Sequence, residues 1–238
     1  MAVGSWFYGP LSAAFEAQGW EARVLPRQGF EVDGPKASPD HDWSYADETA
    51  VLEQAIVESR TQDPDRPVVI VGHSLGGHLG VAAQLGESPA DALIIIGTAS
   101  PHYRHYGLRS LGLLAMGAAV GPAAKFSGYL RKPFFGAPGA KTLMTEWANI
   151  IITGDMPYDL SSKVTSPALS IHLQGDSLSV KSAVRTFERN NFEPEALTTW
   201  TYLKKDTPEG RSTAHVQWVK HPEPVVDYIV TWWDEHAS

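Results

Sequence analysis

The chain has 238 residues and a formal net charge of −8, with 43% hydrophobic and 19% charged residues. That length suits one domain with a sizeable core, and the charge weighs against non-specific nucleic-acid binding and, mildly, against docking on anionic membranes. There is no cysteine, which removes disulfides, thiolate metal sites and a cysteine nucleophile.

Met1 to Ser5 shows neither the basic start nor the apolar run of a signal peptide. No run reaches the roughly 18 consecutive apolar residues of a membrane span; the closest, Leu111 to Ala124, is short and rich in Gly and Ala. The expected location is cytoplasmic.

In chain order, Trp6 to Gly19 reads as a helix, with Leu11, Ala14, Phe15 and Gln18 at helical spacing and Gly19 as its stop. Ala22 to Leu25 reads as a short strand, followed by a turn-rich loop to about Asp42. A second helix runs from about Ser44 to Thr61 until Asp63-Pro-Asp-Arg-Pro67 breaks it. Val68 to Val71 is a short β-branched run, and Gly72-His73-Ser74-Leu75-Gly76 fits G-x-S-x-G. This is the turn that lifts a serine out of the end of a central strand and into the N-terminus of a helix, here about His78 to Leu85. A capping serine in an ordinary connection would satisfy the same pattern. Gly72 and Gly76 are expected to avoid backbone collisions beside Ser74.

Asp91 to Gly97 is a second strand, apolar from Ala92 onward. Helices alternating with such strands indicate an α/β fold, a mostly parallel sheet with helices on both faces. The rhythm then stops. Residues 101–163 hold no convincing strand. They offer a polar aromatic loop, a small-residue helix over Leu108 to Gly121, a Pro/Gly-broken stretch over Phe126 to Gly139, and a helix over Thr142 to Ile152. This span is expected to be a helical cap inserted after the strand at 92–97, on a core of 1–100 and 164–238. Alternation resumes with strands at Pro167 to Gln174 and Leu197 to Lys204 and helices at Val180 to Asn190 and Glu223 to Glu235.

A serine nucleophile needs a base and a carboxylate that orients it. In this kind of sheet the acid and histidine follow the serine, on the loops after the last two strands. Those loops hold Asp176 and His215, so Ser74, Asp176 and His215 are the expected triad. Asp155 and Asp159 are weaker candidates for the acid. Of the 9 histidines, His221 competes with His215, although Pro222 suggests that it caps the last helix. His73 is expected to face away, beneath the sheet; His172 reads as core; His102 and His105 could line a pocket.

Three stretches carry a family resemblance: Val69-Ile-Val-Gly-His-Ser-Leu-Gly-Gly77, Leu143-Met-Thr-Glu-Trp-Ala148, and His215-Val-Gln-Trp218 before a terminal helix. The chain resembles an α/β-hydrolase, and within that superfamily the hydrolases grouped with serine aminopeptidases and monoglyceride-lipase-like proteins. The resemblance implies hydrolysis of an ester, thioester or amide with no metal or organic cofactor. It departs in two places. The acid often lies in G-x-x-D, where this chain has Leu178, with Asp176 directly after Gly175. In the family, a strand and a short oxyanion-forming turn precede the first helix, whereas Met1 to Tyr8 reads as that turn itself, so the N-terminal strands are expected to be missing.

On this reading the backbone of Leu75 is one oxyanion donor, with Met1 or Ala2 supplying the second. Trp147, Met116, Phe135 and His102 are candidate substrate contacts, although aromatic residues of a cap also simply pack it down. The expected function is an esterase acting on a small, largely apolar acyl substrate. A catalytically impaired binding module stays open as an alternative. So does a triad enzyme of another type: perhydrolase, C–C hydrolase, acyltransferase or aminopeptidase. The expected partner is a small-molecule acyl substrate, with a homodimer left open and neither nucleic acid nor a membrane span expected.

Overall fold

The computed structural model describes residues 3–131 and 137–236. Its centre is a four-stranded parallel sheet. The strands are β1 (Val69–His73), β2 (Ala92–Ile96), β5 (Ala168–Leu173) and β6 (Leu197–Tyr202), in the order β1-β2-β5-β6. Register pairs Val69 with Ala92 and His73 with Ile96, so Ser74 emerges level with the end of β2. All five residues of β2 are buried. This is the pattern of a strand covered on both faces, and it explains why Ala92 to Ile96 shows no alternation.

Alternate side chains of the sheet feed two cores. On one face Ile94, Ile96, Leu169 and Ile171 pack with Leu11 and Phe15 of α1 (Gly9–Ala17) and Val225, Ile229 and Trp232 of α7 (Glu223–His236). On the other, Ile70, Leu93 and Ile95 pack with three helices: Ile56 of α2 (Tyr45–Gln62), Val81 and Ala83 of α3 (Leu75–Gln84), and Phe187 of α6 (Lys181–Asn191). The expected α/β class, with helices on both faces, is what the chain adopts. α2 starts where its sequence supplies a capping box. The Ser44 side chain accepts from the Asp47 N–H, and the Asp47 carboxylate accepts from the Ser44 N–H, satisfying two otherwise unpaired helix-end groups.

Four local expectations need correction. Ala22 to Leu25 forms no strand, because a cavity lies between it and the nearest open edge, that of β1. β1 is itself an edge strand, paired only with β2. A cavity of about 620 Å³ runs along its open side, lined by Val69 to His73, Gly76 and residues 20–27. The helix after Ser74 begins at Leu75, earlier than the expected His78. In the insert, α4 (Ser110–Ser127) continues through Pro122 instead of stopping at Gly121. The carbonyl that Pro122 leaves unbonded, that of Ala118, lies on an exposed stretch of helix open to water. The insert also contains a two-residue antiparallel pair, β3 (Tyr129–Leu130) and β4 (Gly139–Ala140), too short to leave a periodic signal.

The insert leaves the sheet after β2 and returns at β5. α5 (Lys141–Thr153) packs against α4, where a side chain on Gly117 would meet Ile151 at 3.0 Å. The stretch Tyr103–Ser127 is the one described helical segment long and apolar enough to cross a membrane by length and composition.

Candidate active site

The site is built beyond the ends of β1, β5 and β6, with β2 lying between the first two. β1 runs straight into Ser74, whose backbone is at φ 55°, ψ −115°. It is the only described non-glycine residue with positive φ, a conformation that costs about 1–3 kcal/mol and persists only where the surroundings impose it. The glycines show how. A Cβ on Gly72 would lie 2.4 Å from the Gly76 carbonyl oxygen, and one on Gly77 would lie 2.1 Å from Thr98 Oγ1. Gly76, expected to be constrained, has open space around it; the tight second position is Gly77, because α3 crosses β2 there.

Ser74 heads α3 without capping it. Its hydroxyl instead donates to His215 Nε2 at 2.9 Å. His215 Nδ1 donates to Asp176 Oδ2 at 2.6 Å. Three side chains separated by up to 141 residues in sequence thus form one hydrogen-bonded line. The displaced acid does not break it. Gly175 at φ 79° turns the chain sharply after β5, and Asp176 Oδ1 then accepts from the N–H groups of Leu178 (2.8 Å) and Ser179 (3.3 Å). The Ser179 hydroxyl donates to Oδ2. Burial works to raise the Asp176 carboxyl. The hydrogen bonds from His215 and Ser179, the imidazole's charge and the Leu178 N–H outweigh it and hold the group below its usual range. The Asp176 side chain is 1% exposed and that of His215 13%, so the acid is sealed and the imidazole reaches the surface. The long loop carrying His215 is pinned to the exit of β5 by Thr213, whose hydroxyl donates to the Gln174 carbonyl at 2.7 Å.

The rival candidates lie elsewhere. Asp155 donates its backbone N–H to Thr153 Oγ1, and the Asp159 carboxylate accepts from the N–H and hydroxyl of Ser161. His221 closes a turn by donating its N–H to the Trp218 carbonyl, and His172 bonds Glu188 at 2.6 Å. His73 departs from expectation. Instead of packing away from the site, its ring lies 4.9 Å from that of His215. Trp218 Nε1 donates to its Nε2 at 3.4 Å, which leaves Nδ1–H to donate to Tyr8 Oη at 2.8 Å. Burial, reinforced by the neighbouring His215, lowers its pKa to about 3, so a neutral ring backs His215. Gly97, at φ 57° after β2, is a second position not singled out by the sequence. A Cβ there would come within 3.4 Å of both Asp176 Oδ2 and His215 Nδ1.

The backbone N–H of Leu75 opens the first turn of α3 beside Ser74. Met1, Ala2 and Phe135 lie outside the described residues. Met116 and Trp147 pack against Val120, Ala124, Leu130, Met144 and Ala148. His102 stacks edge-on to Tyr103 and His105. Among the described residues no group of three or more His, Asp or Glu side chains is gathered as a metal site.

A parallel sheet with covered faces and a strained serine at a strand-to-helix turn, joined to a histidine and an acid from later loops, is the arrangement of the α/β-hydrolase class. The chain belongs to the alpha/beta hydrolase family, whose model matches residues 2–234. No curated protein matches it. Among solved structures it is similar in fold to an esterase from Exiguobacterium antarcticum (16% identity, 97% of this chain and 87% of that one, TM-score 0.60). It is also similar to a monoacylglycerol lipase from Paleococcus ferrophilus (12% identity, 97% and 91%, TM-score 0.61). A third similar structure is tomato methylketone synthase I (11% identity, 99% and 94%, TM-score 0.59).

Proposed function

We propose that this alpha/beta hydrolase is a serine esterase that cleaves a carboxylic ester, or a related acyl bond, of a small and largely apolar substrate through an acyl-enzyme on Ser74. The carrying observation is the unbroken line from Ser74 Oγ through His215 to Asp176. As Ser74 Oγ attacks the substrate carbonyl carbon, its proton moves to His215 Nε2, and buried Asp176 stabilises the imidazolium without taking the proton. The Leu75 N–H, at the positive end of α3, stabilises the oxyanion. Collapse of the tetrahedral intermediate breaks the bond to the leaving alkoxide, which takes the proton from Nε2. Water then attacks the acyl carbon, giving its proton to His215, and the acid product leaves as Ser74 recovers a proton.

An ester-cleaving reading also fits the esterase and the monoacylglycerol lipase among its structural neighbours. Kinetics on a series of p-nitrophenyl esters test it. Turnover is expected for short to medium acyl chains and is abolished in Ser74→Ala; undiminished turnover in that variant removes Ser74 as nucleophile.

A further inference from the structure

The charge of this protein is unevenly placed. No Asp or Glu occurs between Asp91 and Glu146, a span that contains Arg104, Arg109, Lys125, Arg131, Lys132 and Lys141. It carries +6, which leaves −14 for the rest of a chain whose total is −8. Lys141 is neutralised by Asp42 at 3.4 Å. Among the described residues, Arg104, Arg109, Lys125 and Arg131 pair with no carboxylate.

The same span leaves large apolar side chains in water. α4 turns Gly117, Val120, Gly121 and Ala124 inward. Leu111, Ala115, Ala118, Ala119, Pro122 and Phe126 are exposed, and at 3.6 residues per turn they fall within an arc of about 100°. Leu111 is 78% exposed and Phe126 97%, and Leu108 in the preceding turn is fully exposed. An apolar stripe of this width normally faces a core. Here Lys125 borders it and Arg109 heads it. Contiguous apolar surface on a soluble chain marks a contact region.

We propose that this face of α4, together with Leu108, seats the protein on an anionic lipid surface. Leu108, Leu111 and Phe126 enter the boundary between headgroups and acyl chains, and Arg109 and Lys125 meet the lipid phosphates. The helix lies in the surface plane, because its opposite side is committed to α5. A second copy fits this face poorly, since two such faces would bring like charges together. The overall negative charge, which weighs against anionic membranes, misleads because the acidic residues lie outside this span. The contact adjoins the Ser74 site: Tyr106 Oη, just ahead of α4, donates to the Leu178 carbonyl on the Asp176 loop at 2.7 Å.

Sedimentation of the full chain with vesicles of phosphatidylcholine alone, and of equimolar phosphatidylcholine and phosphatidylglycerol, tests this. At least about 25-fold tighter binding to the anionic vesicles is expected, weakening with salt. Arg109→Gln/Lys125→Gln should weaken it by about 25-fold, at about fivefold per cationic residue, and Phe126→Asp should release the protein from both. All three substitutions are at exposed sites, so circular dichroism and turnover of a water-soluble ester should be unchanged. Ser74→Ala should bind vesicles like wild type, which separates this reading from the esterase reading. Equal binding to neutral vesicles, or undiminished binding by the double variant, overturns the proposal. So does a dimer that Phe126→Asp dissociates and that binds no vesicles.

Discussion

Replacing Asp176 by Asn should disable the site by imposing the wrong histidine tautomer, and the structure fixes the direction in which the amide must turn. Asp176 Oδ1 accepts two backbone N–H groups, from Leu178 and Ser179. An Asn that turned its NH₂ toward them would set donor against donor, so its carbonyl oxygen takes the Oδ1 position and its nitrogen faces His215 Nδ1. The nitrogen donates there, and His215 must then carry its proton on Nε2, pointing at Ser74 Oγ. In that tautomer His215 has no lone pair with which to take the serine proton. The Ser179 hydroxyl also loses the acceptor it now uses. Loss of correct tautomer and charge in a serine–histidine–acid system costs about 10⁴ in kcat, or about 5.5 kcal/mol of transition-state stabilisation. The assay is steady-state hydrolysis of p-nitrophenyl acetate, with circular dichroism to confirm an intact fold. A folded variant retaining activity within about tenfold of wild type refutes the argument, because Asp176 would then have no part in orienting His215.

Gly97→Ala should lower kcat by roughly 10–100-fold, since its Cβ would press on Asp176 and His215 from a backbone at φ 57°, and positive φ alone costs alanine about 1–2 kcal/mol; kcat and thermal midpoint measured together check it. His73→Leu should remove the partner of the half-buried Tyr8 hydroxyl and leave the His215 ring less well held, seen as a fall in kcat larger than any rise in KM. Gly77→Ala should destabilise by about 1–3 kcal/mol through its clash with Thr98, with Thr98→Ala restoring part of the loss in a denaturant titration. The depressed Asp176 carboxyl contributes stability that is fully present above its unfolded value of about 3.9 and lost as pH falls through the lower folded value. Acid unfolding followed by fluorescence should accordingly be less steep in Asp176→Asn.

What the sequence makes legible is whatever depends on local spacing. Ser74 is readable because strand, turn and helix are contiguous, Asp176 because it lies three residues beyond its strand, and His215 because it lies on the loop between the last strand and the last helix. The missed features are set by residues distant in sequence. Gly97 is constrained by side chains roughly 80 and 120 positions later. His73 is drawn toward His215 by Tyr8 and Trp218, partners that its own strand gives no hint of. Ala22 to Leu25 has the composition of a strand, but a strand also has to reach a neighbouring edge, and here a cavity intervenes before that of β1. The small-residue helix is expected to end at Gly121, yet α4 continues through Pro122, and the Ala118 carbonyl that this leaves unbonded sits on an exposed stretch.

The most direct measurement of the central claim is reaction of the folded protein with a fluorophosphonate, followed by mass spectrometry of its peptides. One adduct per chain is expected, on Ser74, absent in Ser74→Ala and formed far more slowly in His215→Ala. Folded protein that forms no adduct, or forms it on another residue, contradicts the account.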